Sequence, residues 1–170
     1  MSREVKDIVL CEGLPTGGGY FDLKYTPVEN IDWSAMPPDW EIPYNCEIKS
    51  EVVFLSGFQW KTISLKKQAP SFQLTETSTG SKLNQVFSGE VCYDTLAIKQ
   101  AITELCRDNA RHIICGRNCQ NNRVIIGTQN NPAKFTANRI RQADKNGQAK
   151  YTFTFSRTTA KGNFAPFYNL

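Results

Sequence analysis

The sequence predicts a mainly β, α+β fold, either an antiparallel β-sandwich or a partly closed barrel, with one flanking helix at about residues 95–108. Many short stretches alternate apolar and polar residues, and glycine, proline and asparagine separate them. One stretch alone has helical spacing, which excludes the repeated βαβ units of a nucleotide-binding fold. A chain of 170 residues is long enough for one domain with a substantial core.

The chain is expected to form a single domain with three parts. Residues 1–45 are interpreted as an N-terminal arm with a proline-rich loop, 46–157 as the core with its helix, and 158–170 as a C-terminal tail. Within the first part, residues 20–25 alternate as a half-buried strand does. Residues 26–43 hold four prolines, which deny a sheet its backbone donors, and two tryptophans that predict an ordered loop.

Two hairpins are predicted in the first half of the core. Residues 46–55 and 58–65 are expected to pair around Ser56-Gly57. The second hairpin joins 72–77 to 82–93 through a polar turn, and its later arm is expected to be interrupted near Gly89.

The helix at 95–108 is predicted from apolar residues at helical spacing, which are Ile98, Ala101, Ile102 and Leu105. Asp94 or Thr95 can cap its N-terminus, and Asn109 can cap its C-terminus.

Two short strands, a further run and a final strand are expected after the helix. Residues 111–115 and 123–127 form a hairpin around a polar turn, and a run at 134–140 leads to Asp144-Lys145-Asn146-Gly147. Asn-Gly tolerates the positive φ angles of a tight hairpin. Residues 150–157 alternate over eight positions, which makes this the best-defined strand in the chain.

The residues give little support to catalysis, so we predict no enzyme, catalytic residue or cofactor. His112 is the only histidine, and the glycine-rich stretch at 13–19 lacks the Lys-Ser/Thr pair of a phosphate loop. Cys106, Cys115 and Cys119 cluster near His112, as zinc ligands do. Strand alternation places His112 and Cys115 on opposite faces, so no metal site is predicted, although binding by the three cysteines stays open.

Charge is divided unequally along the chain. Residues 107–170 hold eleven Lys/Arg and two acids, a net charge of +9, whereas residues 1–106 hold nine bases and fourteen acids, a net charge of −5. Such asymmetry is typical of proteins that bind a polyanion or an acidic surface on another copy of themselves. The candidate assembly or DNA-facing residues are Arg123, Lys134, Arg139, Arg141, Lys145 and Lys150.

The order of elements resembles that of small bacteriophage tail proteins, particularly those of phages that infect Bacteroides-like bacteria. The match runs from the hairpin at 72–76 through 84–93, the helix at 95–107 and the Ile-rich hairpin, and it ends in the strand at 151–156. It covers about the last two-thirds of the chain by pattern and includes no diagnostic motif. Tail-tube and distal-tail proteins use a β-sandwich with a flanking helix and form rings around a DNA channel.

This resemblance implies a non-enzymatic structural protein of the virion tail or neck, made in the host cytoplasm. Its expected partners are copies of itself in a homo-oligomeric ring, neighbouring tail, neck or portal proteins, and DNA passing through the channel. No stretch is long and apolar enough for membrane insertion of its own. At least one of the extended pieces, which are residues 1–11, 127–150 and 158–170, is expected to pack on a neighbouring subunit. The alternative is a nucleic-acid-binding β-domain, monomeric or dimeric, that uses its basic C-terminal half.

Overall fold

Strands dominate the computed structural model, which describes residues 20–40, 46–64, 72–91, 96–107, 111–118, 122–140 and 150–168. Strands account for 54% of these residues, and their sheet curls into an open half-barrel. The predicted mainly β fold with one helix is therefore confirmed. The strands are β1 Tyr20–Pro27, β2 Glu47–Ile48, β3 Lys61–Ser64, β4 Gln73–Thr79, β5 Lys82–Val91, β6 Arg111–Asn118, β7 Arg123–Ile126, β8 Ala133–Ile140, β9 Lys150–Ala160 and β10 Phe167–Tyr168. The helix is α1 Leu96–Cys106, and single 3-10 turns span Val28–Asn30 and Pro38–Trp40.

One sheet contains all ten of these strands, in the order β2-β10-β7-β6-β8-β9-β5-β4. Strand β1 pairs with β6 and carries β3 on its other side. The β2–β10 pair is parallel, and the remaining pairs are antiparallel. Strand β6 contacts β1, β7 and β8, which makes it the junction of the sheet.

The main core lies on the inner face of the curled sheet. Phe135, Phe153 and Phe155 point inward from β8 and β9, and their rings lie 4.8–6.0 Å apart. Lys134 and Thr136 alternate with them on the outer face. Helix α1 packs its four predicted apolar residues into this core, so its position and buried face are confirmed. Its predicted caps lie outside the described residues.

A second core covers the opposite face of β6 and β7. Ile113 and Ile125 contact the segment between β1 and β3, where Trp40 is buried. The Trp33 indole donates a hydrogen bond to the Val28 carbonyl at 2.9 Å, and the Trp40 indole donates one to the Ser50 carbonyl at 3.2 Å. The predicted ordered loop with two anchoring tryptophans is therefore confirmed for residues 28–40, whereas residues 26 and 27 belong to β1 and residues 41–43 lie outside the described residues. Because both faces of β6 and β7 are covered, residues 113–115 and 124–126 of these strands are continuously apolar.

The predicted hairpin of residues 46–55 with 58–65 is wrong. The turn forms, with Gly57 at φ 86°, but β2 pairs in parallel with β10 and β3 pairs with β1. Val52, Phe54 and Trp60 between them pack in or against the second core. Burying these side chains separates the two arms, which therefore find partners elsewhere in the sheet.

Strand β5 is not interrupted at Gly89. Its register with β9 is continuous from Lys82 to Val91. A Cβ at Gly89 would lie 2.7 Å from Cε1 of Phe72 and 3.0 Å from Cζ of Phe153. Glycine here makes room for an aromatic ring and does not mark a break in the strand.

The described parts of the predicted arm and tail belong to the sheet and its cores. Leu23 and Tyr25 of β1 are fully buried, and residues 28–40 build the second core. At the other end, β9 extends to Ala160, and β10 pairs with β7. Of the three extended pieces, residues 1–11 lie outside the described residues. The described parts of the other two pack on their own chain.

Gly127 is expected to be the more sensitive of two positive-φ glycines to substitution by alanine. Gly127 has φ 105°, and a Cβ there would lie 2.8 Å from the His112 carbonyl oxygen. Gly57 has φ 86° with nothing within 4 Å of its Cβ position. Both variants bear the cost of the left-handed backbone, but only Gly127→Ala adds a steric clash, so it should lose about 1–3 kcal/mol more. Urea unfolding of both variants measures this difference, and equal losses would contradict the packing around Gly127.

Candidate functional site

The acidic and basic stretches meet inside a single chain. Arg117 lies 3.4 Å from Asp22, and Arg111 lies 3.5 Å from Glu29. Both contacts follow from the pairing of β6 with β1, because Asp22 is on β1 and Glu29 is in the turn directly after β1. Exposed or half-exposed pairs of this kind contribute about 0–1 kcal/mol each. Part of the charge complementarity that sequence analysis assigned to contacts between subunits is therefore used within the subunit.

The predicted basic residues occupy several places on the molecule. Lys134 is exposed on the outer face of β8, and Lys150 begins β9. Arg139 extends from the other face of β8, with its guanidinium 5.7 Å from the centre of the Tyr151 ring. Arg123 is on β7, directly opposite Arg117 of β6. Arg141 and Lys145 lie outside the described residues.

These positions do not form one basic band. Lys134 and Arg139 are five residues apart on β8, about 16 Å along a strand, and alternation places them on opposite faces. Arg123 belongs to the β6–β7 hairpin and faces the second core. The described candidates therefore form at least three separate local environments. Arg123 lines a cleft with four other charged residues, and Lys134 lines another with Arg157.

Strand β4 is the outermost strand at one end of the sheet that the structure describes, and this end is called the open edge. In the described part of the chain it pairs with β5 and with no other strand. The pairing runs without a bulge through seven residues, and five of these residues are exposed. Natural proteins commonly protect such edges with lysine, proline or a bulge, and β4 has none of them. The strand therefore presents a regular row of backbone donors and acceptors to a partner.

A polar chain beneath β4 holds this edge in place. The Gln85 side-chain amide donates to Oε1 of Glu76 at 2.6 Å, and its carbonyl accepts from Nε of Arg157 at 2.5 Å. The backbone N–H of Ala165 donates to the same Glu76 oxygen at 2.7 Å. These contacts tie β4, β5, β9 and the segment before β10 together. Glu76, the one charged residue of β4, is therefore engaged on the inner face and does not shield the open edge.

Burial and a neighbouring carboxylate determine the pKa of the Arg157 guanidinium in this polar chain. Gln85 is fully buried, and Arg157 is 9% exposed. Burial lowers the pKa of Arg157 to about 10, and the Glu76 carboxylate acts in the opposite direction. The guanidinium is thus charged at neutral pH and depends on Gln85 and Glu76 for its compensation.

A second site, the arginine cleft, lies between the β1-β6-β7 face and the segment before β3. It has a volume of about 290 Å³. Three of its side chains are cations and two are carboxylates, and three aromatic residues line it together with a valine and a cysteine. The lining residues used below are Asp22, Lys24, Glu51, Trp60, Arg117, Arg123 and Tyr168.

Two acidic hydroxyl or thiol groups of the arginine cleft stay protonated at neutral pH. Burial raises the pKa of the Cys115 thiol to about 12, against the lowering effect of Arg123. Burial also raises the pKa of Tyr168 to about 12, and a hydrogen bond with the Val52 backbone opposes the rise. These groups therefore add no negative charge to the cleft at neutral pH.

The cysteine and histidine cluster is divided by the sheet, as strand alternation predicts. His112 faces the main core, where its ring lies 5.6 Å from Phe155, whereas Cys115 belongs to the second core. Among the described residues no group of three His, Cys, Asp or Glu side chains could hold a metal ion. Cys119 lies outside the described residues. A search of the same residues finds no helix that could span a membrane.

Sequence analysis missed the polar chain, although part of its signal is visible. In the alternation Tyr151, Phe153, Phe155, the next inward position is Arg157, which predicts a buried cation. Its partner Gln85 is 72 residues away and cannot be identified without the β5–β9 register. The Arg117–Arg123 pair could be predicted more easily, because the two residues flank the predicted hairpin turn and are therefore expected to lie opposite each other.

Replacing Gln85 with leucine should lower the free energy of unfolding by on the order of 3 kcal/mol, because Arg157 and Glu76 then lose their buried bridging partner. Gln73→Leu makes the same chemical change at an exposed position of β4 and should alter stability by less than about 0.5 kcal/mol. Chemical denaturation at pH 7 gives both values. Similar losses in the two variants would contradict a structural role for the polar chain.

Stability should fall as the pH rises above 9. In the folded state the pKa of Cys115 is about 12, against an ordinary value of 9.0. Between pH 9 and 12 the thiol loses its proton in the unfolded chain but keeps it in the folded protein. The contribution of Cys115 to the free energy of unfolding is therefore complete below pH 9 and falls by about 1.4 kcal/mol per pH unit as the pH rises toward 12. The Arg157 shift has the opposite sign and acts above about pH 10. Denaturation between pH 8 and 10 should show a shallower decline in Cys115→Ala than in the parent, and identical slopes would contradict the burial of this thiol.

No protein-family model, curated protein or solved structure matches this chain. The resemblance to phage tail proteins rests on the order of elements and stays a prediction. Any inference about function must therefore start from the contacts, burial and charge of the described residues.

Proposed function

We propose that this chain is a non-enzymatic structural subunit that assembles with copies of itself through the open β4 edge. The observation that carries this proposal is a regular seven-residue edge strand without the usual protection against pairing. Addition of a strand from a second copy would continue the sheet and satisfy the backbone groups of β4.

The sheet offers different edges for a head-to-tail arrangement of the copies. Its other ends are the short strands β2 and β3, which differ from β4 in length and sequence. Pairing of β4 with a different edge of the next copy is a heterologous contact, which repeats and closes into a ring when the rotation permits. Such a ring agrees with the tail or neck role that the resemblance to phage proteins implies.

The distribution of charge favours assembly over the alternative of a monomeric nucleic-acid-binding domain. A groove for a polyanion needs bases aligned along one surface. Here Lys134 and Arg139 extend from opposite faces of β8, and Arg111 contacts a carboxylate of its own chain. This proposal includes a location in the virion. It also includes contacts with neighbouring tail, neck or portal proteins and with DNA in the channel of the ring.

Thr75→Lys should convert the assembled protein to monomers. Thr75 is exposed on β4, and a lysine on an edge strand opposes pairing with a further strand. Thr152→Lys introduces the same charge on β9, two strands inside the sheet, and should leave assembly intact. Light scattering coupled to size-exclusion chromatography measures the mass of each variant.

Two results would contradict assembly through β4. One is a parent protein that stays monomeric up to its solubility limit. The other is an equal loss of assembly in Thr75→Lys and Thr152→Lys, which would place the contact on the face of the sheet and not at its edge. Circular dichroism of both variants establishes that each remains folded.

A further inference from the structure

The arginine cleft contains an unusual row of charges across three neighbouring strands. Asp22 of β1, Arg117 of β6 and Arg123 of β7 are directly opposite one another in register. Side chains in such positions have Cβ atoms about 4.5–5.5 Å apart, and like charges there are destabilising. Arg117 and Arg123 are such a pair of like charges, and an unfavourable local arrangement of this kind is expected at functional sites.

The carboxylates of the cleft do not outnumber its cations. Asp22 lies 3.4 Å from Arg117, and Glu51 is the other acid of the wall. Lys24 adds a third cation in the next row, beside Cys115. Among the described residues that line the cleft, three cations thus accompany two carboxylates, and two of the cations are guanidinium groups, whose planar forks suit the oxygens of a phosphate.

Aromatic side chains form another part of the wall. Trp60 is half-buried and packs edge to face on Phe54, with ring centres 5.7 Å apart. Tyr168 completes this side, and burial raises the pKa of its hydroxyl to about 12. An indole beside paired arginines is the combination that binds a base together with its phosphate.

We propose that the arginine cleft binds a nucleoside monophosphate, with the phosphate between Arg117 and Arg123 and the base against Trp60. Its volume of about 290 Å³ is just below the roughly 300–1,000 Å³ of small-molecule sites, so it suits a free mononucleotide better than a strand. The cleft shares no residue with β4, so this proposal is independent of assembly.

Titration calorimetry with AMP in phosphate-free buffer tests the proposal. We expect saturable binding at one site per chain, tighter than that of adenosine or inorganic phosphate, because both halves of the ligand are held. Arg123→Gln should weaken AMP binding at least about tenfold, the value of one charge-assisted hydrogen bond. Lys134→Gln removes the same charge from the outer face and should leave the affinity unchanged.

Further variants keep the test valid if Arg123→Gln folds poorly. Arg123→Lys retains the charge but loses the planar fork, so it should bind AMP with intermediate affinity, and Trp60→Leu should weaken AMP more than it weakens inorganic phosphate. Absence of saturable AMP binding, or equal weakening by Lys134→Gln, would overturn the proposal. Tighter binding of a deoxyadenosine decamer or of a glutamate-rich peptide would also overturn it, in favour of a nucleic-acid strand or a protein partner.

Discussion

Burial of both faces of β6 is the constraint on which the rest of this structure depends. His112 and Ile114 face the main core, while Ile113 and Cys115 face the second core. The same strand pairs along its edges with β1, β7 and β8. This central position brings carboxylates of the acidic stretch to Arg111 and Arg117, and it places Arg117 against Arg123 in the cleft.

The main core fills the inner face of the curled sheet, and β4 lies at one end of its described strands. The buried chain of Glu76, Gln85 and Arg157 fixes the position of this edge strand relative to β9 and the C-terminal segment. Polar groups buried in this way stabilise a structure only when all of them are satisfied, and they oppose alternative registers. A fixed and regular edge is what repeated pairing between identical subunits requires.

Local pattern was sufficient for much of this fold. Alternation predicted β1 and β9, and helical spacing predicted the buried face of α1, because side-chain direction is encoded within a few neighbouring residues. The partners of the strands at 46–64 could not be predicted in the same way. They depend on a second core assembled from distant segments, and the two-residue strand β10 is too short to have a period.

The candidate sites depended even more on long-range geometry. Composition predicted that the basic half binds a polyanion or an acidic surface of another copy. It did not predict that Arg111 and Arg117 would contact acids of the same chain. Gln85 and Arg157 meet because β5 pairs with β9, and no local signal marks that register. Arg123 was predicted for assembly or DNA contact, whereas its neighbours make it part of a compact cleft.

The central claim is that copies of this chain pair through β4. Hydrogen exchange followed by mass spectrometry, in dilute and concentrated protein, measures the protection of the backbone amides of Gln73–Thr79 directly. We expect their exchange to slow as the protein assembles, while exchange in β9, already paired on both sides, stays unchanged. Oligomers that form with unaltered exchange in β4 would contradict the account.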